Sequence, residues 1–103
     1  MAVAEGIARQ ADEIAAIRRD IHAHPELGLE EHRTSDRVAA FLQACGIPMH
    51  RGIAKTGIVG VVHGRDGGAC GRAVGLRADM DALPVQEQNG FAHASRHAGL
   101  MHA

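Results

Sequence analysis

The chain has no tryptophan and no tyrosine, and Phe41 and Phe91 are its only phenylalanines. Nineteen of its apolar residues are alanine. Little area is therefore buried per residue, and a free domain of this length, hiding roughly two-thirds of its unfolded surface, gains little from doing so. Cysteine is equally scarce: Cys45 and Cys70 form no C-x-x-C pair, which excludes a disulfide framework and a structural zinc module and leaves both to be read as small apolar residues. No apolar run approaches the roughly 18 residues that span a bilayer. The start, MAVAEGIARQADE, lacks both a basic n-region and an apolar h-region, so the expected compartment is the cytoplasm and no membrane partner is expected. A net charge of -1 gives no electrostatic reason to expect nucleic acid.

What is present is organised as two helices followed by strands. Ile7, Ala11, Ile14, Ile17 and Ile21 recur at helical spacing, with Arg9, Asp12, Glu13, Arg18 and Arg19 mostly off that stripe. This predicts an amphipathic helix ending near His24, because Pro25 disfavours helical geometry in the residue before it. Pro25 to Gly28 then reads as a turn. A second helix is predicted from about Glu30 to Cys45, burying Val38, Phe41 and Leu42, with Gly46 as the left-handed stop. Residues 47–50 form a short extended segment. Gly57 to His63 is β-branched and nearly continuous, which suits a strand buried on both faces. A further strand is predicted over Ala73 to Ala78. The glycine-rich stretch from Gly64 to Arg72 is not a phosphate loop, since no Gly-Lys-Ser/Thr follows and the next segment is a strand; it reads as a hairpin loop.

Asp79 and Asp81 follow that last strand. Reacting groups in α/β sheets gather beyond the carboxyl ends of strands, which makes the two acids candidates for a site. The plainer reading is that they cap the following turn. Glu87 stands close enough to the Asp81 turn to join the site wall, although a helix terminus or solvated face would also suit it. His22 and His24 lie on opposite sides of a helix and do not readily share a metal. His93 and His97 have the spacing of a helical zinc pair, but Gly90 and Gly99 flank a segment with little helical periodicity, so both are expected in loops. His102 is either a weak metal-ligand candidate or a histidine supporting its loop through hydrogen bonds.

Three ordered blocks go further: IRRDIHAHPELGLEEHRTS, KTGIVGVVHG, and LRADMDALPVQE with ASRHAGLMHA. From about Ile17 to Ala103 the chain resembles the N-terminal end of the bacterial N-acyl-amino-acid amidohydrolases, including the hippurate hydrolases, in the aminoacylase and carboxypeptidase clan of metallopeptidases. The resemblance implies an α/β fold, the N-terminal part of a metallopeptidase-type α/β/α catalytic domain with strands of a mixed sheet. It also implies hydrolysis of the amide of a small N-acyl amino acid by a pair of divalent metals and a carboxylate base. Zinc, manganese, cobalt or nickel suit a site with a cysteine ligand. Asp81 matches the clan's aspartate that orients a ligand from behind the metals, and Asp79 matches a position near the site.

In that family the run ending M-H-A continues into Cys-Gly-His-Asp, which supplies metal ligands, and the other ligands, the general base and a dimerisation domain lie further on. Residues 1–103 are therefore expected to form an incomplete N-terminal part of the catalytic domain, inactive alone. The alternative is a non-catalytic fragment that associates with the remaining polypeptide, or a homo-oligomer formed through an exposed sheet edge. A histidine-rich metal-binding module is a third reading.

Overall fold

The computed structural model describes residues 4–103, which fall into two compact units. One comprises Met1–Leu27 with Ala82–Ala103, and the other Gly28–Asp81.

In the first unit, α1 (Glu5–Ala8) and α2 (Ala11–Ala23) replace the single helix that periodicity predicts; the chain turns at Arg9 and Gln10 between them. Asp12 and Glu13 sit in the first turn of α2 and His22 in its last, the charge placement that suits the helix dipole. The helix stops where expected. His24, at φ -125° and ψ 66°, has left helical geometry ahead of Pro25. The stripe itself behaves differently from expectation, for Ile7 and Ile14 are exposed while Ala23 and Pro25 are buried. What packs there is the segment from Ala82 onward, which forms neither helix nor strand. It folds back onto the end of α2 through backbone bonds from Ala82 N–H to Glu26 O (2.7 Å) and from Arg96 N–H to Ala23 O (3.0 Å). An isolated bridge joins Leu83 and Met101 by reciprocal bonds of 2.9 and 3.1 Å.

The second unit begins at a turn over Gly28 and Leu29, displaced from the predicted Pro25 to Gly28, with Leu29 at φ +68°. Helix α3 (His32–Ala44) follows. Its best-buried residues are small ones, Thr34, Ser35 and Ala39, while the predicted face of Val38, Phe41 and Leu42 is half-buried. Gly46 ends it in the left-handed region, φ +69°, as its sequence position predicts. Gly46 N–H donates to Gln43 O and Ile47 N–H to Leu42 O, a Schellman arrangement that satisfies the last carbonyls.

Strands β1 (Met49–Ile53) and β2 (Gly57–Gly60) form a two-stranded antiparallel sheet against which α3 packs. Helices followed by strands is the order the sequence implies. The strands differ from expectation in detail. The predicted strand over Gly57 to His63 is ordered as β2 only to Gly60, and Val59, Val61 and Val62 are exposed, so it is not buried on both faces. Ala73 to Ala78 is not a strand: a strand exists only through a ladder to a neighbour, no described residue provides one, and Val74 and Leu76 are 88% and 95% exposed. The hairpin turn accordingly lies at residues 54–56, not at Gly64 to Arg72. Cys45 and Cys70 are both exposed thiols, in contrast to their reading as small apolar residues. Among the described residues, no helix is long and apolar enough to cross a membrane.

The hairpin turn is backbone-strained. Ala54 and Lys55 adopt φ +47° and +77°, a region costing an L-residue about 1–2 kcal/mol. At Gly57 a Cβ would meet Ile53 O at 2.5 Å. Lys55→Gly relieves that left-handed strain, less the extra freedom glycine gives the unfolded chain, so a urea melt followed by circular dichroism should show a gain of about 0.5–1 kcal/mol. Gly57→Ala should show a loss of about 1–3 kcal/mol in the same measurement.

Candidate functional site

The three candidate acids and the candidate histidine separate into two places. Asp79 and Asp81 belong to the second unit and border a groove of about 780 Å³ whose walls include Leu29, Val38, Leu42, Ile53 and Met80. Asp79 is solvated and pairs with Arg77 at 2.7 Å, an exposed contact of the kind worth about 0–1 kcal/mol. Asp81 is exposed, and its Oδ2 faces Gly28 so closely that a Cβ there would stand 3.6 Å away. A side chain at position 28 would therefore meet this carboxylate at ordinary van der Waals distance.

Elsewhere in the same unit, Glu31 is buried at the entry to α3, and Thr56 of the hairpin turn donates its hydroxyl to Glu31 Oε2 at 2.5 Å. Burial works against ionisation of Glu31, but the Thr56 hydroxyl and nearby backbone amides outweigh it and hold the carboxyl below its usual range. The pair ties helix to hairpin across 25 residues. Arg51 binds Asp36 on the outer side of the same helix.

Glu87 and His102 come together in the first unit, around His22. Glu87 is neither a helix-terminal nor a solvated residue: its side chain is 3% exposed. An ionised carboxylate only accepts, so His22 Nε2–H donates to Oε1 at 2.7 Å and Asn89 Nδ2 to the same oxygen at 3.2 Å, while Ser95 N–H donates to Oε2. The hydrogen bond from His22 and that from Ser95 outweigh burial and hold the Glu87 carboxyl down to about 2. Beside it, the Gln86 side chain spans Glu87 O (3.1 Å) and Gly99 N–H (2.7 Å). The His22 ring lies 5.8 Å from His102 and 6.1 Å from both His93 and Phe91, centroid to centroid. His93 and His97 are in a non-helical segment, as the flanking glycines predict.

His22 is the member sequence reasoning passed over. Its partner lies 65 residues away, so no local spacing signals it; the one available hint was the position of His22 in the last turn before Pro25, where the returning segment is received. A metal centre is a different matter. Among the described residues, no group of three or more His, Cys, Asp or Glu side chains is disposed to hold a metal ion. The residues present therefore do not fit a metal pair by themselves, and the reading as a histidine-rich metal-binding module loses its support.

No protein-family model matches the chain. Individual proteins do. The chain is 46% identical over 90 residues to a protein of Synechocystis sp. named a probable hydrolase, covering 87% of this chain and 22% of that one. It is 43% identical over 103 residues to the N-acyl-L-amino acid amidohydrolase of Geobacillus stearothermophilus, covering 96% and 27%, and 43% identical over 91 residues to the hippurate hydrolase of Campylobacter jejuni, covering 88% and 23%. Among solved structures it superposes on Bacillus subtilis YxeP, described as a dinuclear metal binding peptidase from the M20 family. The TM-score is 0.76 at 33% identity, over 92% of this chain and 26% of that one. The chain spans about a quarter of the length of these relatives.

The Glu87 cluster makes a pH prediction whose sign follows from the depressed carboxyl. A group held below its unfolded value contributes stability that is complete above about pH 4.5 and is lost as the pH falls toward about 2. Thermal melts of the 103-residue chain should therefore weaken across that window. Glu87→Gln, which cannot ionise, should melt lower than the parent at pH 7 and converge with it near pH 2. Parallel melting curves for the two proteins from pH 7 to pH 2 would contradict the assignment.

Proposed function

Because the chain belongs to the family of N-acyl-amino-acid amidohydrolases, hippurate hydrolases and M20 peptidases, and aligns with its N-terminal part, we propose that it is the opening portion of a two-metal catalytic domain. That domain hydrolyses the amide bond of small N-acyl amino acids. The observation that carries this reading is the alignment itself, which extends over nearly all of this chain at 43% identity to an enzyme named for that reaction.

In this reading the chain's contribution is architectural. Asp81, which stands beside Gly28, is the carboxylate that orients a metal ligand from behind. Asp79 stands near the site in its ion pair with Arg77. Glu87 fixes the segment 82–103 against α2, and with it the position of His102. The metal pair, of zinc, manganese, cobalt or nickel, is taken to be held by residues of the whole enzyme beyond those described, since the described ones form no such set. The substrate is a hippurate-like N-acyl amino acid, and the setting is cytoplasmic.

A second reading rests on the sheet. The exposed Val59, Val61 and Val62 along and beyond β2, with Val74 and Leu76, suit association with further polypeptide of the same enzyme or with another copy of the chain. It is compatible with the first and concerns assembly, not chemistry.

The test is direct. The purified 103-residue chain, incubated with hippurate and each of the four metals in turn, should release no glycine above the metal-only blank. Metal-dependent release by this chain alone would show that its own residues suffice and would overturn the architectural role.

A further inference from the structure

The C-terminal half of α2 and the segment 92–96 enclose a cleft of about 300 Å³ lined by Arg19, Asp20, Ala23, His24, Ala92, His93 and Arg96. Three observations bear on what it could hold.

First, its cations are uncommitted. Among the described residues neither Arg19 nor Arg96 engages a carboxylate through its guanidinium. The one acid in the wall, Asp20, is already turned to His24, whose Nδ1 lies 2.8 Å from the Asp20 carbonyl and 3.6 Å from its carboxylate. Second, the local field is positive. Burial first, then the charges of Arg19 and Arg18, then His22, push the His93 imidazole below its ordinary value, with only Glu87 acting against them. Third, the wall is fixed before any ligand arrives. His93 is stacked on Phe91 at 3.9 Å between centroids and 15° between planes. Ala94 N–H bonds to Phe91 O, Arg96 N–H to Ala23 O, and Ser95 N–H to Glu87. Ala23 and Ala92 leave the floor apolar and open.

An arginine from α2, an arginine from the segment 92–96, a half-buried imidazole and an internally hydrogen-bonded rim suit a planar or tetrahedral oxyanion, since arginine presents paired donors matched to carboxylate and phosphate oxygens. A pre-ordered wall lowers the ordering cost of binding. We propose that this cleft is a binding site for a small oxyanion, with Arg19 and Arg96 as its paired clamps and His93 as the third donor. The site lies wholly within the unit containing α2 and does not depend on the proposed hydrolytic role.

The 103-residue chain, at constant ionic strength set with chloride, is titrated with inorganic phosphate, and separately with acetate and citrate, while the His93 ring and Arg96 amide resonances are followed by NMR. Saturable shifts of both resonances are expected with at least one of the three anions, and the arm that saturates identifies phosphate or carboxylate as the chemistry recognised. Arg19→Gln and Arg96→Gln should each weaken that binding about tenfold or more, the loss expected for a charge-assisted contact. Arg9→Gln removes an exposed cation that pairs with Glu5 on α1 and should leave it unchanged. Circular dichroism of each variant establishes that it folds. Shifts that never saturate, or that weaken equally in Arg9→Gln, reduce the effect to general charge attraction and overturn the proposal. Failure here leaves the hydrolase reading intact, because nothing in the titration measures hydrolysis.

Discussion

A buried carboxylate holds the first unit together. Residues 82–103 have no helix and no ladder beyond a single bridge, and they are poor in large apolar side chains, so neither backbone regularity nor burial can order them. Order comes instead from donors converging on Glu87: an imidazole from the last turn of α2, a backbone amide from Ser95 and a side-chain amide from Asn89. A carboxylate removed from water without such partners would take up a proton. With three donors it stays ionised, and each donor is fixed in return. The helix end, the stacked Phe91 and His93 and the bridge at Leu83 and Met101 all belong to the unit that these bonds close.

The second unit repeats the device with different parts. Glu31, at the entry to α3, is buried and meets the Thr56 hydroxyl from the hairpin turn. Around it the packing is done by Thr34, Ser35 and Ala39, residues small enough for helix and sheet to approach closely but individually worth little burial. In an alanine-rich chain almost without aromatics, specific polar contacts thus carry positional information that larger side chains supply in other proteins. Ala54 and Lys55, in the left-handed region, immediately precede the Thr56 that makes this contact.

Much of this architecture was legible in the sequence where the cause is local. Pro25 stops α2 and Gly46 stops α3 because each acts through its own backbone geometry, and both helices and their order follow. The order of helices before strands, and the likeness to the amidohydrolases, were carried by contiguous blocks of residues. What sequence reasoning could not supply was anything resting on a distant partner. The run from Ala73 to Ala78 has the composition of a strand, yet composition cannot provide the neighbour that makes one. Glu87 could be read as a site-wall acid or a solvated one, but not as a buried partner of His22, which stands 65 positions away. Conversely, the isoleucine stripe of the first helix correctly marked an amphipathic helix but overstated its burial, since Ile7 and Ile14 remain in solvent. Of the candidate acids, Asp79 and Asp81 border one groove, although the strand expected ahead of them is absent.

The two thiols have a practical corollary. Cys45, just past α3, and Cys70, in the glycine-rich turns, are both solvent-accessible, and both lie between Gly28 and Asp81. A maleimide fluorophore would therefore label the hairpin-bearing unit alone. With no tryptophan or tyrosine to add background emission, such a dye would report the melting of that unit in isolation from its neighbour.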